Sequence, residues 1–165
     1  MTLNEFKFTE SNHFIAMEFY ALVLNRTFLI VLHQGNMTGL KVNGQISAEG
    51  GGDPITMAIT NSMSVKGDLG NPNNYVKSKY LKKLAGHDIL GTDVLKVSSG
   101  NFRIPLSHII ETRHNPKKKW GMGPYPHDGR VFVTTRDLKK REFIILGNQS
   151  GQKIAELIRT FTLNN

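Results

Sequence analysis

The chain reads as an α+β protein, mainly β: a strongly bent antiparallel sheet or partly open barrel capped by one C-terminal amphipathic helix. Three observations predict it. Apolar and polar residues alternate over 130–135 and again over 142–146, on either side of a basic turn, the period of two half-buried strands in a hairpin. Ile154, Leu157, Ile158 and Phe161 then fall at i, i+3, i+4 and i+7, one apolar stripe on a helix spanning 150–161. A lone helix with one apolar face needs one sheet to cover it. Burying those four side chains is worth on the order of 6 to 12 kcal/mol before conformational entropy is set against it.

The earlier elements follow from local chemistry. Residues 19–32 are apolar and β-branched or aromatic except at Asn25, Arg26 and Thr27, which predicts two buried strands or one long bent one. Gln34-Gly35-Asn36 supplies a hairpin turn and 37–46 the return strand, in which Gly39 marks a bulge. Residues 44–87 read as a loop and helix insertion, with Gly50-Gly51-Gly52-Asp53 and Asp68-Leu69-Gly70-Asn71-Pro72 around one short strand at 55–60. Asn74 caps a helix over 75–85, where Val76, Tyr80, Leu81 and Leu84 have helical spacing and Gly86 stops the element. A strand is expected at 88–97, a turn at 98–101 and a short strand at 102–104. Pro105 lacks the amide proton that a central strand donates, so 104–106 belongs at an edge or bend before 107–112 resumes. Residues 115–129 form a long loop rich in Gly and Pro.

Length and composition bound the rest. A chain of 165 residues suits one domain, 1–165, able to bury about 70% of the surface exposed by its unfolded form. Cysteine is absent, which excludes disulfides, thiolate metal ligands and thiol nucleophiles and makes a reducing, cytoplasmic address the simplest one. The first eleven residues lack the pattern of a signal peptide. Residues 14–32 come nearest to a membrane span, yet Glu18, Asn25 and Arg26 interrupt them, so no integral membrane segment is expected. Twenty-one Lys and Arg against 13 Asp and Glu give a formal net charge of +8, a long-range attraction for phosphate-bearing partners.

The order of elements carries a resemblance. Phe102-Arg103-Ile104-Pro105-Leu106-Ser107-His108-Ile109-Ile110, then Gly129-Arg130-Val131-Phe132-Val133-Thr134-Thr135, then Phe143-Ile144-Ile145-Leu146 and the closing helix resemble the pleckstrin-homology-like superfold, in particular its bacterial and GRAM-like members. The resemblance spans residues 88–161. It implies a helix that plugs one open end of a bent sheet, and a binding or assembly module. Members that bind phosphoinositides use basic residues between their first two strands. The corresponding positions here, Asn25-Arg26-Thr27 or Gln34-Gly35-Asn36, hold a single Arg. One superfold hosts many functions, so the fold leaves the ligand open.

The strongest candidate site is Lys117, Lys118, Lys119 and Trp120, where ammonium groups beside an aromatic ring suit an anionic partner such as membrane phosphate or nucleic acid. The bland alternative has Trp120 folded back over the sheet and the lysines solvated. A second basic stretch, 136–141, is expected at the opposite end of the sheet from the first, because the loops before and after one strand leave from opposite ends. Lys77, Lys79, Lys82 and Lys83 read as the wet side of a helix. His13, His33, His87, His108, His114 and His127 show no paired metal spacing, so no metal or cofactor is expected. Neither His87-Asp88 nor His127-Asp128 comes with a nucleophile motif.

The leading expectation is thus a non-enzymatic module that binds an anionic surface or a protein partner, or associates with itself through a sheet edge near Pro105. Two alternatives come from other classes: a small hydrolase or lyase working from His108, His114 or His127 beside the 113–129 loop, and a nucleic-acid-binding domain.

Overall fold

In the computed structural model, which describes residues 1–22, 24–47 and 63–164, one antiparallel sheet curls into a half-barrel. Its strands are β1 (His13–Phe19), β2 (Asn25–His33), β3 (Asn36–Asn43), β4 (Phe102–Pro105), β5 (Ile109–Asn115), β6 (His127–Thr135) and β7 (Lys140–Leu146). The order β4-β3-β2-β1-β7-β6-β5 leaves β4 and β5 as the two edges, and β1 joins the halves through β7, with Ala16 opposite Ile145 and Met17 opposite Ile144. Two α-helices described in full accompany the sheet: α1 (Ser78–Leu84) beside β3, and α2 (Gly151–Leu163) across β5 and β6.

Both faces of the central strands are buried, which is why β1 and β2 read as continuous apolar runs. Phe14, Ala16, Phe28, Ile30, Val131, Val133, Phe143 and Ile145 line the inner, concave face with Ile154, Ala155 and Ile158 of α2. Ile15, Met17, Leu29, Val31, Leu40, Val42, Ile144 and Leu146 line the outer face. That face is carpeted by Phe6, Ile46, Val65, Tyr75, Leu84, Ile89, Val94, Met122 and Tyr125. Helix α2 starts where Ser150 Oγ accepts a hydrogen bond from Lys153 N at 3.3 Å and Asp128 Oδ2 accepts one from Gly151 N at 2.7 Å, satisfying two of the amides that a helix start leaves without partners. The expected stripe holds: Ile154 and Ile158 are buried, and Leu157 and Phe161 pack partly buried beside them.

Four local expectations are corrected. Gly39 is no bulge. It pairs in register with Ile30, and the irregularity lies at Thr27/Phe28; glycine is required at 39 because a Cβ there would run into the Phe102 ring of β4. The hairpin turn between β2 and β3 places its left-handed residues at Gln34 and Gly35, with φ 46° and 70°, while Asn36 already pairs with His33. Residues 88–97 are not a strand. They turn through a 3-10 helix at Asp93–Lys96, and Ile89 and Val94 sink into the outer core. The helix expected over 75–85 begins only at Ser78: Asn71 caps a 3-10 turn at Pro72–Tyr75, and Lys77 is held extended by donating its N–H to Val42 O at 3.0 Å. The expectations for 55–60 and for Gly50-Gly51-Gly52-Asp53 lie outside the described residues. Pro105 ends edge strand β4 opposite Asn36, as its missing amide proton requires.

Candidate functional site

The antiparallel pairing of β1 with β7 brings two turns to one end of the sheet: the β1–β2 turn, 20–24, and the β6–β7 turn, 136–139. The loop before β6 leaves from the other end, as expected from its place before the strand. It then doubles back. Met122 and Tyr125 pack on the outer core, Lys119 Nζ reaches Glu142 Oε1 at 2.9 Å, and the same ammonium lies 5.8 Å from the Phe19 ring centroid. Lys119 thus reaches the end of the sheet from which the β6–β7 turn leaves, but the two basic stretches stay apart: Lys118 and Lys119 border a cleft on the outer face, and Arg136, Lys139 and Arg141 border another beside Phe102. The first cleft, of about 1050 Å³, is bordered by Tyr20 and Leu22 on one side and Lys118, Lys119 and Trp120 on the other.

Among the four residues singled out in sequence, roles divide. Lys117 and Lys118 are exposed, and neither makes an ion pair with a described residue. Lys119 is half-buried and committed to Glu142, which also lies 3.6 Å from Arg130, so its charge anchors the loop. Trp120 does not cover the sheet. It is 90% exposed, and the covering is done by Met122 and Tyr125. Sequence reasoning missed the apolar partners: Leu22, 99% exposed, and Tyr20 border this cleft, while Leu24 and, in the β6–β7 turn, Leu138 at 74% are exposed as well. Leu138 also adopts φ 60°, a left-handed conformation disfavoured for a side chain of its size. The one available signal was that Leu22, Leu24 and Leu138 sit in turns.

Under this end lies a charged latch on the inner face. Glu18 of β1 pairs across the ladder with Arg26 of β2, accepting from its Nε and Nη2 at 3.1 and 2.9 Å, and Arg141 Nε approaches the other carboxylate oxygen at 3.5 Å. Arg141 also stacks on Phe102, 3.5 Å from the ring centroid. Burial and the neighbouring Arg26 lower its pKa, against the pull of Glu18. Arg26 lies 4.9 Å from the Tyr20 ring centroid, so the latch carries the β1–β2 turn.

The histidines are engaged separately. His114 Nε2 donates to Asp128 O at 2.8 Å, and the Asp128 carboxylate caps α2. His108 is exposed at the end of a short 3-10 turn. His127 is buried at the start of β6, its Nδ1 has no hydrogen-bond partner, and burial lowers its pKa below the ordinary 6.5. With a depressed folded-state pKa, the unfolded chain takes up a proton first as pH falls through about 6.5, so stability is fully present above that value and declines below it, down to the folded pKa. Urea midpoints at about pH 8 and about pH 5.5 should therefore differ more in the native protein than in His127→Gln. Among the described residues no group of three His, Asp or Glu side chains could hold a metal ion, and no helix is long and apolar enough to cross a membrane.

The chain matches no protein-family model, no curated protein and no solved structure.

Proposed function

We propose that the protein is a non-enzymatic binding module of pleckstrin-homology-like type that docks the turn end of its sheet on an anionic lipid surface. One observation carries this reading: Leu22 and Trp120, the most exposed large apolar side chains among the described residues, border the same cleft together with Lys118, and Lys117 stands exposed next to it in the chain. Aliphatic tips enter acyl chains, a tryptophan ring suits the headgroup boundary, and lysines beside them meet lipid phosphates. Nucleic acid is a poorer fit, because Leu22, Leu24 and Leu138 offer no face for a base to stack on. The β1–β2 turn, the position that the resemblance makes important, brings apolar reach here, while the charge comes from the loop before β6. A cytoplasmic address belongs to the same reading, supported by the absence of cysteine.

Co-sedimentation with phosphatidylcholine vesicles, with and without phosphatidylserine, tests it. Binding should require the anionic lipid and weaken as salt rises. Lys117→Ala with Lys118→Ala should cost about 30-fold, at about 1 kcal/mol per lysine near the surface. Leu22→Asp alone should also reduce binding. Failure to sediment with either vesicle, or a shift in the mobility of single-stranded nucleic acid at physiological salt instead, would overturn the lipid assignment. Dimerisation abolished by changes along the β4 edge would point to self-association.

A further inference from the structure

On the outer face, at the start of β1 and away from the lysine loop, lies a second cavity, of about 750 Å³. Its floor is Ile15 and Leu29 of the sheet. Phe8 of the N-terminal segment forms one wall and Leu81 of α1 the other, with His13 among the polar groups that line it. In a chain with 21% charged residues, none of the described lining residues is Lys, Arg, Asp or Glu. Leu81, placed by its spacing to pack into a core, is 37% exposed and borders this space instead. The volume is that of a site for a drug-sized molecule, mostly apolar with a few polar groups that fix orientation.

His13 sets the polarity of that orientation. Its Nδ1 lies 2.7 Å from Thr9 O; a carbonyl oxygen can only accept, so Nδ1 carries the hydrogen. In the neutral ring Nε2 is then a bare acceptor, and it has no hydrogen-bond partner among the described residues. The Phe8 ring meets the imidazole edge-on, 5.0 Å between centroids, and holds it in place. We infer that this cavity binds a neutral, largely apolar small molecule that donates one hydrogen bond, such as an aromatic or aliphatic alcohol, to His13 Nε2. The inference goes beyond the membrane reading and uses none of its residues.

The test is a two-dimensional NMR titration of the full chain, in slightly alkaline buffer, with three probes of one size: 2-naphthol, 2-methoxynaphthalene and 2-naphthoate. 2-Naphthol should give saturable shifts centred on His13, Ile15, Leu29 and Leu81. The methyl ether, which has no donor, should bind about 10-fold more weakly, the worth of one hydrogen bond, and the carboxylate should not saturate. His13→Phe keeps the ring and removes the acceptor, so the alcohol and the ether should then bind alike. Ala85→Trp, a change at an exposed position that fills the mouth, should abolish both. The inference fails if no probe saturates, if naphthoate binds as tightly as naphthol, if the alcohol and ether bind equally to the native protein, or if the shifts centre on Trp120 and Tyr20.

Discussion

Glu18→Ala should destabilise the protein by about 3 to 5 kcal/mol, the usual cost of removing one partner from a buried ion pair. The carboxylate is 10% exposed and serves two guanidinium groups, Arg26 at 2.9 Å and Arg141 at 3.5 Å, that are themselves mostly buried. Without it, two like charges face each other across β1 in a setting that already disfavours Arg141's charge. Against a total stability of about 5 to 15 kcal/mol for domains in general, that loss is large. Urea denaturation followed by circular dichroism reads it as a lower midpoint. Replacing Glu18, Arg26 and Arg141 together by Met should cost less than Glu18→Ala alone, because no unpaired charge is then left in place. If Glu18→Ala left the midpoint unchanged, the latch would contribute nothing to the fold.

Phe143→Ala should cost a similar amount, about 3 to 5 kcal/mol, by a different route. The ring is fully buried in β7, 6.0 Å from the Phe102 centroid and stacked on it, and 6.4 Å from Phe14 in an edge-on contact. It ties edge strand β4 to the centre of the sheet across the half-barrel. Removing it leaves a cavity that close-packed neighbours fill only in part. Ile110→Ala is the matched control: Ile110 is exposed on edge strand β5, and its truncation should change stability by no more than about 0.5 kcal/mol. Equal effects of the two substitutions would contradict the placement of the inner core.

What the sequence made legible and what it hid divide along one physical line. The closing hairpin, α2, the place of the β2–β3 turn to within one residue and the edge position of Pro105 were readable because each is fixed by local periodicity or by backbone chemistry. Segments whose conformation is dictated by what they cover were not. Ile89 and Val94 lie in a segment that reads as a strand by composition, yet they cover the outer face of the sheet and enter its core from a turn and a 3-10 helix. Val76 and Leu84 have helical spacing, but the chain between Tyr75 and Ser78 is pulled straight by the Lys77 to Val42 hydrogen bond. The candidate site shows the same division. The lysines and Trp120 were visible as a cluster in the chain. Their meeting with Tyr20 and Leu22, about 100 residues away in sequence, depends on the Lys119–Glu142 contact, which no pattern along the chain reveals.

Trp120 is the chain's single tryptophan, so its fluorescence reports directly on the surface at the centre of this account. With vesicles containing phosphatidylserine and brominated acyl chains, the emission should shift to shorter wavelength and be quenched by the bromines, and Leu22→Asp should abolish both changes. Emission that stays at its aqueous position and is untouched by the brominated lipid, at protein and vesicle concentrations where the lysines should hold the two together, would show that this end of the sheet does not enter a membrane.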